Sequence, residues 1–547
     1  AGHRPWQSVL VIVADDQRAD SIAALGNAHV RTPALDALVA RGTSFDRAYC
    51  MGSAHGAVCI PSRAMMLTGR SLFHRDEQLD GQDTWPEAFS RLGRATFLTG
   101  KWHNGEASAT RCFREGRNVF FGGMTDQWNV PVTSFPAGDG SPGLPPPAVA
   151  AGVHSAALFG DAAVGFLERV GDEPFFAWVS FTVPHDPRQA PDDLRSRYAG
   201  REPPPPPNFL PEHPFDNGEL AVRDELLLPR PLSRDGVSRE IADALACVES
   251  LDAQVGRMTA ALERTGRLDD TIILFVSDHG LALGSHGLLG KQNLYEHSMR
   301  APAILAGPGV PAGKRVEALC HLQDLVATAG DLAGVPAPAG SEAVSLRPQL
   351  GGAPQEPRGE LLLAYRHLQR ALVTRDWKLV RYPEIGREQL FDLSADPHEL
   401  HDLVDDPAQA SRLVDLRARM ARKMREADDP LAAGAEFFAP AARPVPRPPN
   451  VVFFLADDLG TGDVAALGST FAVTPHVDAL FARGTRLARH WAGSAVCAPS
   501  RCVLMTGLHP GHAAVRSNSE VQPEGQRPMP AGTVTLAGIF REAGYAT

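Results

Sequence analysis

The chain has 547 residues, of which 44% are hydrophobic and 21% charged, a composition typical of globular proteins and not of disordered or fibrous ones. Lys and Arg number 53 and Asp and Glu 64, so the net charge of −11 argues against nucleic acid as a partner. The longest apolar runs, residues 9–14, 175–179 and 271–276, are far shorter than the about 20 residues that span a bilayer. The composition therefore predicts a globular protein without a membrane span.

Short apolar runs alternate with helix-like stretches over the first 340 residues. The runs at residues 8–14, 175–181 and 271–277 lack a period of two, which favours strands buried on both faces of a parallel sheet. The helix-like stretches are residues 33–41, 84–92, 156–169 and 239–264. This alternation predicts an α/β fold with a doubly wound, mostly parallel sheet.

The pattern changes after about residue 360. Residues 361–365, 370–374 and 377–382 predict a small antiparallel sheet, and residues 408–425 predict a charged helix. We therefore expect an α/β domain over residues 1–340 and a smaller α+β subdomain over residues 341–430.

The chain also contains an internal repeat. A similar segment occurs near the start and again late in the chain: Val9-Leu-Val-Ile-Val-Ala-Asp-Asp16 and Val451-Val-Phe-Phe-Leu-Ala-Asp-Asp458. A Cys-x-Pro-Ser-Arg segment follows each of them. We expect residues 450–547 to be the start of a second, partial α/β unit, in a tandem gene or sequence record cut short at Thr547. Pro-rich residues 431–449 predict a semi-rigid linker.

Two pairs of polar residues directly follow predicted strands. Asp15 and Asp16 follow the first run, and Asp278 and His279 follow the run at 271–277. Residues just past parallel strands gather at one edge of a sheet, where carboxylates repel one another unless a cation joins them. Three carboxylates suit Ca²⁺, and the imidazole extends the choice to Mn²⁺, Fe or Zn²⁺. For either pair alone, a plain turn at a strand end is the alternative.

Cys59-Ile-Pro-Ser-Arg63 precedes a helix-like run. A helix that begins there would direct free N–H groups at a bound oxyanion, and Arg63 would add a fork of donors matched to a tetrahedral anion. The alternative is that Cys59 packs as a small buried hydrophobic side chain.

The segments Cys59-x-Pro-Ser-Arg63 and Leu67-Thr-Gly-Arg70 resemble the signature of the type I sulfatases, members of the alkaline phosphatase superfamily. Further segments similar to sulfatase motifs follow in the expected order: Gly100-Lys-Trp-His103, Pro184-His185, Asp278-His-Gly280 with Lys291, and residues 389–397. The resemblance covers residues 5–428, and residues 450–547 resemble the start of a second sulfatase.

The resemblance implies a nucleophile and a cation site. In sulfatases a dedicated formylglycine-generating enzyme oxidises the signature Cys, so Cys59 would act as a formylglycine hydrate. One hydroxyl would attack sulfur and form a covalent sulfo-enzyme, and the other would then lose its proton and expel sulfate. The cation, usually Ca²⁺, would be held by Asp15, Asp16, Asp278, His279 and an oxygen of the modified Cys59.

The resemblance also implies roles for the cationic residues. Arg63 and Lys101 would orient the modified side chain, and His103 would contact the hydrate. His185 and Lys291 would bind the sulfate and protonate the leaving oxygen. Position 279 departs from the commonest pattern, because many sulfatases have Asn there. His at this position also occurs in part of the family and in related phosphonate monoester hydrolases, so Mn²⁺ or another divalent cation joins Ca²⁺ as a candidate.

The leading hypothesis is therefore a sulfuric ester hydrolase that acts on a sulfate monoester of a sugar or small organic alcohol. One alternative is a phosphonate monoester or phosphodiester hydrolase with the same site, and another is a non-catalytic binding protein that retains the sulfatase shell. Because many bacterial sulfatases are exported, we expect a periplasmic or secreted protein. We expect the second unit to be inactive, since Asp457, Asp458, Cys497 and Arg501 supply only half a site.

Overall fold

The computed structural model describes residues 7–136, 144–353, 356–433, 450–487, 489–518 and 528–547. The chain divides into two compact units, residues 1–445 and 446–547, which are described separately below. Residues 434–449, most of the predicted linker, lie outside the described residues.

The first unit contains the strands and helices expected of an α/β protein. Its strands are β1 Ser8–Ala14, β2 Thr43–Phe45, β3 Ala48–Tyr49, β4 Gly52–Ser53, β5 Ala95–Lys101, β6 Glu115–Phe120, β7 Asn129–Phe135, β8 Ala148–Ala151, β9 Phe175–Ser180, β10 Thr271–Ser277, β11 Ala303–Ala306, β12 Lys314–Val316, β13 Cys320–His321, β14 Glu360–Tyr365, β15 Gln369–Thr374, β16 Trp377–Tyr382 and β17 Arg387–Asp392. Its helices are α1 Pro33–Arg41, α2 Cys59–Thr68, α3 Trp85–Arg91, α4 Glu106–Cys112, α5 Ser155–Arg169, α6 Asp192–Arg195, α7 Arg234–Arg264, α8 Glu296–Met299, α9 Leu322–Leu332, α10 Arg347–Leu350 and α11 Ala410–Glu426.

Within the described residues, the main sheet has ten strands in the order β12-β2-β11-β10-β1-β9-β5-β6-β7-β8. The central strands β10, β1, β9, β5 and β6 are parallel, whereas β11, β7 and β8 pair antiparallel with their inner neighbours. The mostly parallel sheet is confirmed. The antiparallel strands towards the edges were not predicted, because short or half-exposed strands leave a weak pattern in the sequence.

Both faces of the main sheet are covered, as in a doubly wound fold. Along β1, Val9, Val11 and Val13 belong to one apolar cluster, and Leu10 and Ile12 belong to the other. Successive side chains of a strand point to opposite faces, so an uninterrupted apolar run is what a strand buried on both faces requires. Helices α2 and α9 lie on the first face, and α1, α5 and α7 lie on the second.

The predicted helices form with small shifts at their ends. The helix predicted over 84–92 is α3, where Thr84 and Glu87 form a capping box. The helix predicted over 239–264 begins five residues earlier, at Arg234, because the Ser233 side chain caps it by accepting a bond from the Gly236 N–H.

A five-stranded sheet follows in the described part of the C-terminal subdomain, in the order β17-β16-β15-β14-β4. The predicted antiparallel strands β14, β15 and β16 are confirmed, and β17 and the N-terminal strand β4 extend the sheet. Helix α11 packs on this sheet through Leu413, Leu416, Met420 and Met424. Side chains of β14 and β15 also belong to the core of the main sheet, so the subdomain is continuous with the α/β domain.

The second unit contains helices α12 Pro475–Arg483, α13 Cys497–Thr506 and α14 Leu536–Glu542. The helices of the expected α/β unit are present, but no strand forms within its described residues. Residues 451–455, which match β1 in sequence, are 48–84% exposed. A strand requires a hydrogen-bonding neighbour, and the described residues of the unit provide none.

No helix among the described residues has the length and hydropathy needed to cross a membrane. All seven cysteines lie in the described part of the chain, and all are free.

Candidate active site

Four neighbouring parallel strands end at one edge of the main sheet. Asp15 and Asp16 follow β1, Asp278 and His279 follow β10, and Lys101 is the last residue of β5. The strand between β1 and β5, β9, ends level with them, because the register pairs the ends of these strands with one another. The two polar pairs therefore meet at one sheet edge, as the sequence predicts.

Asp15, Cys59, Asp278 and His279 form one buried group whose candidate ligand atoms all lie within 4.8 Å of one another. Among the described residues, Asp15 Oδ1 and His279 Nε2 are buried and have no hydrogen-bond partner. A buried carboxylate oxygen or ring nitrogen without a partner is unfavourable, and a cation would satisfy both. Carboxylate oxygens with one imidazole nitrogen are a donor set for a divalent cation, so these residues fit one.

Asp16 lies beside this group in a left-handed backbone conformation, with φ of 69°. Such a conformation costs a non-glycine residue about 1 kcal/mol and is concentrated at functional sites. The Asp16 N–H donates to Asp278 Oδ1 at 3.2 Å, and the Asp16 carboxylate accepts bonds of 2.8 and 3.0 Å from Lys291 Nζ. The Asp16 carboxylate also lies 3.5 Å from His279 Nε2.

The pKa of Asp16 reflects the basic side chains that surround it. Burial alone would raise the pKa of this carboxyl, but the charges of His185, Lys291 and His279 hold it well below its ordinary value. Asp16 is therefore ionised at any working pH.

Arg63 contacts one carboxylate of each strand-end pair, Asp15 and Asp278. It lies in the second turn of α2 and is 1% exposed. Its Nε donates to Asp278 Oδ2 at 3.0 Å, and one terminal nitrogen donates to the Lys101 carbonyl at 2.9 Å and to Ser180 Oγ. The other terminal nitrogen lies 3.8 Å from Asp15 Oδ1. The guanidinium thus holds both carboxylates in place and does not face open solvent.

Lys101 is positioned by the glycine before it. Gly100 has φ of +87°, and a Cβ there would lie 1.8 Å from the Ser180 carbonyl oxygen. Only glycine allows β5 to approach β9 this closely in that conformation. The buried Lys101 Nζ then lies 2.5 Å from Asp15 Oδ2 and 3.7 Å from Cys59 Sγ.

Cys59 is the first residue of α2 and is 3% exposed. Its Sγ lies 3.3 Å from Nδ1 of His103, another residue in the left-handed conformation, with φ of 65°. Burial alone would raise the pKa of the Cys59 thiol, but the charge of Lys101 and the neighbouring His103 and His279 rings bring it well below its ordinary value. Position 59 is therefore built to stabilise negative charge, helped by the helix N-terminus.

The pKa of His279 is shifted in the opposite direction to that of Cys59. Burial alone would lower its pKa, but the charges of Asp278 and Asp16 raise it to about 9. A metal ligand must be a neutral imidazole, so a cation bound here would displace the His279 proton.

His185 and Lys291 approach Asp16 from the other side. His185 Nε2 lies 3.9 Å from Asp16 Oδ2, and the His185 ring is 6% exposed. Asp15, Asp16 and His185 form a second group of candidate metal ligands. The pKa of Lys291 is raised, because the charges of Asp16 and Asp224 outweigh the effect of burial. Lys291 therefore carries a proton at the edge of the site.

The carboxylates and the Arg and Lys side chains of this site balance one another. Asp15, Asp16 and Asp278 carry three negative charges, and Arg63, Lys101 and Lys291 carry three positive charges. All six side chains are at most 4% exposed. Lys291 and Arg63 therefore hold in place carboxylates that would otherwise repel one another.

All ten predicted site residues thus lie at one sheet edge, and the structure adds residues that sequence reasoning missed. Ser180 bonds Arg63, and its place at the end of β9 was a usable signal. Asp224 lies 3.9 Å from Lys291 Nζ, but it lies in a short 3₁₀ turn within an irregular region that no pattern marks. Asp186 lies 3.3 Å from His185 Nδ1 and also pairs with Arg223.

The second unit retains part of this arrangement in a more open form. Asp458 has φ of 57°, like Asp16, and Cys497 is the first residue of α13, as Cys59 is of α2. Arg501 lies 3.2 Å from Asp457 Oδ1, with the two side chains 48% and 63% exposed.

Family comparisons identify the chain on independent grounds. The profile of the family described as Sulfatase matches residues 7–335 and 449–547. The profile described as N-sulphoglucosamine sulphohydrolase, C-terminal, matches residues 284–426. Together these matches extend over most of the chain.

Curated relatives agree with the family matches. An N-acetylglucosamine-6-O-sulfatase of Bacteroides thetaiotaomicron is 25% identical over 486 residues, which span 72% of this chain and 82% of the relative. A choline-sulfatase of Rhizobium meliloti is 30% identical over 406 residues, which span 68% of this chain and 77% of the relative.

Solved structures share the fold. A structure of a protein in complex with its substrate D-glucosamine-2-N,6-O-disulfate aligns with a TM-score of 0.66 at 22% identity, over 78% of this chain and 99% of that one. The phosphonate monoester hydrolase of Agrobacterium radiobacter aligns with a TM-score of 0.57 at 23% identity, over 76% of this chain and 96% of that one. The family matches and the curated relatives agree on one chemistry, and the chain belongs to the sulfatase family, the enzymes that hydrolyse sulfate esters.

Proposed function

We propose that the first unit is a formylglycine-dependent sulfatase whose nucleophile derives from Cys59 and whose cation is Ca²⁺. The observation that carries this proposal is the position of Cys59 Sγ. It lies at a helix N-terminus, 3.3 Å from His103 and 3.7 Å from Lys101, within one group with Asp15 and the other candidate ligands.

The cation would be held by Asp15, Asp16, Asp278, His279 and the modified side chain at position 59. Their mostly carboxylate donor set supports Ca²⁺, with Mn²⁺ as the alternative that the His279 imidazole supports. When bound, a divalent cation polarises oxygens of a sulfate ester and raises the acidity of a neighbouring hydroxyl. Arg63 would keep Asp15 and Asp278 apart and aimed at the cation.

Lys101 and His103 would act on the nucleophile. The groups that lower the pKa of the Cys59 thiol would equally stabilise negative charge on a hydrated aldehyde at the same position. His103, in contact with position 59, would accept the proton that the second hydroxyl releases.

His185 and Lys291 would bind the sulfate and serve the leaving group. Both lie beside Asp16, within reach of an anion that the cation and Lys101 hold. Lys291 keeps its proton because Asp16 and Asp224 raise its pKa, so it supplies charge as well as hydrogen bonds. Proton donation to the departing oxygen would matter most for alkyl and sugar sulfates, whose alcohols are poor leaving groups.

We propose a sulfated sugar, or a small organic sulfate, as the substrate class. Curated relatives named for N-acetylglucosamine-6-O-sulfate and choline sulfate activity support this class, as does the match to the C-terminal part of N-sulphoglucosamine sulphohydrolase. Residues 450–547 are proposed to take no part in turnover, because Arg501 and Asp457 beside Cys497 are 48% and 63% exposed and do not form a buried site.

The mass of the tryptic peptide of residues 48–63 tests the nucleophile. Protein from a host with a formylglycine-generating enzyme should show Cys59 converted to formylglycine, and it should release sulfate from a sulfate ester. An unmodified Cys59, with a control sulfatase converted in the same cells, would contradict the proposal. Faster turnover of a phosphonate monoester than of the matched sulfate ester would contradict the substrate class instead.

A further inference from the structure

A second group of metal-ligating side chains lies outside the candidate active site. His286, His297 and Glu399 are 8%, 9% and 2% exposed, and their candidate ligand atoms all lie within 4.8 Å of one another. The two histidines come from the segment that follows β10, and Glu399 comes from the segment that follows β17. Within the described part of the chain, no hydrogen bond or ion pair joins these three side chains to the active-site carboxylates.

The polar atoms of this cluster lack partners. Nε2 of His286 and both ring nitrogens of His297 are buried without a hydrogen-bond partner among the described residues. A buried ring nitrogen loses its bonds to water, so native proteins rarely leave even one unsatisfied. A metal ion would bind His286 Nε2 and one of the two His297 nitrogens, so a single ligand would satisfy two of these three atoms.

The rings are held in orientations that suit metal binding. The His286 ring stacks on Tyr295 with centroids 4.1 Å apart, and the His297 ring lies 5.6 Å from the same phenol. The His398 carbonyl also hydrogen-bonds the His286 ring. Metal-ligating histidines commonly donate their second N–H to a carbonyl in this way.

The separation between His286 and Glu399 also fits an ion better than a hydrogen bond. His286 Nε2 lies 4.0 Å from Glu399 Oε2, beyond hydrogen-bond distance. An ion with bonds of about 2.1 Å to nitrogen and oxygen would reach both atoms.

Two charged side chains adjoin the cluster. Lys378 Nζ lies 3.0 Å from Glu399 Oε1, which opposes a bound cation. The Glu296 carboxylate, also 3.0 Å from Lys378 Nζ, offsets that charge.

We propose that His286, His297 and Glu399 bind a divalent transition-metal ion, and that Zn²⁺ is the ion that fits the donor set best. Two imidazoles and one carboxylate are a common zinc ligand set, with water in the fourth position. Ca²⁺ prefers an all-oxygen shell and suits this cluster poorly.

The site would tie two parts of the first unit together. Lys291 lies between His286 and His297 in the chain, and Glu399 belongs to the C-terminal subdomain. A bound ion would therefore fix the segment that carries Lys291 to that subdomain. The proposal does not rest on the sulfatase mechanism, because metal binding is measured without turnover.

The test titrates Zn²⁺ into the full chain after chelator treatment and return to excess Ca²⁺, with calorimetry and metal analysis as readouts. We expect wild type to bind one more equivalent of Zn²⁺ than His297→Gln and Glu399→Gln. His367→Gln is the matched control, because the His367 side chain is 55% exposed and pairs only with Glu384 among the described residues. His279→Asn distinguishes any Zn²⁺ taken up at the active site, since it should leave the proposed equivalent in place.

Two further readouts do not depend on folded variants. Co²⁺ in place of Zn²⁺ should give the visible absorption of a low-coordinate nitrogen and oxygen site. Zn²⁺ at 100 times its Kd should raise the Tm of wild type by about 3 °C. Absence of a stoichiometric Zn²⁺ equivalent in wild type, or its retention by folded His297→Gln, would overturn the proposal and leave buried water as the partner of these nitrogens.

Discussion

Replacement of Arg63 by Met should remove the guanidinium charge that lies between the Asp15 and Asp278 carboxylates. Both carboxylates are fully buried, and Arg63 Nε lies 3.0 Å from Asp278 Oδ2. Loss of one member of a buried ion pair costs about 3–5 kcal/mol of unfolding free energy, because the remaining charge stays buried. In a unit of this size that cost lowers the Tm by about 5 °C in the metal-free protein.

A bound cation should reduce this deficit. Ca²⁺ beside Asp15 and Asp278 would supply part of the charge that Arg63→Met removes, so the difference in Tm from wild type should shrink when Ca²⁺ is added. Arg63→Lys keeps one positive charge but loses the fork of donors, and we expect a smaller loss of Tm. Turnover of a sulfate ester should fall at least about 100-fold in Arg63→Met.

The assay is thermal unfolding of wild type and variants in EDTA and in excess Ca²⁺. Arg315→Met is the matched control, because Arg315 is 59% exposed and pairs with Asp46 at the surface. Its Tm should stay within about 1 °C of wild type. The reasoning fails if Arg63→Met unfolds within that same margin in EDTA, or if Ca²⁺ leaves its deficit unchanged.

Three further predictions test the nucleophile, the leaving group and a buried carboxyl. Cys59→Ala should abolish sulfate release with little change in Tm, whereas Cys497→Ala should keep full activity; equal loss in both would contradict the assignment of the nucleophile. Lys291→Met and His185→Asn should slow alkyl sulfates more than 4-nitrophenyl sulfate, by about 100-fold or more in relative kcat/KM; equal losses would refute proton donation. Burial raises the pKa of Asp252 to about 6, although it accepts bonds from the N–H groups of α1. Because its folded pKa exceeds its unfolded value, its ionisation destabilises the fold above about pH 6, and this cost disappears below about pH 4. The Tm of Asp252→Asn minus that of wild type should therefore be more positive at pH 8 than at pH 4. A difference in Tm that does not change with pH would contradict this.

The strand-end residues were predictable because a simple geometric rule places them. A buried strand of a parallel sheet has an uninterrupted apolar sequence, and its end is marked by the first polar residue. Asp15 and Asp278 satisfy that rule, and the register of β1 with β10 brings them together.

The partners supplied by irregular segments were not predictable in this way. Asp224 reaches Lys291 from an irregular segment, and β4 joins the C-terminal sheet by pairing Ser53 with Tyr365, which is far from it in the sequence. Glu399 and His297 are likewise far apart in the sequence and close together in the fold. Contacts of this kind depend on how whole elements pack, and neither periodicity nor turn chemistry records them.

The balance of three carboxylates against three basic side chains has a consequence for the order of events at the site. Without the ion, the three carboxylates cancel the three basic side chains and only the protonated His279 adds a positive charge, so the site has little long-range attraction for a sulfate ester. Entry of a dication, with loss of the His279 proton, leaves a net surplus of positive charge that an anionic ester can neutralise. Metal loading therefore strengthens substrate capture: the same residues hold little surplus charge before the ion arrives and more positive charge afterwards.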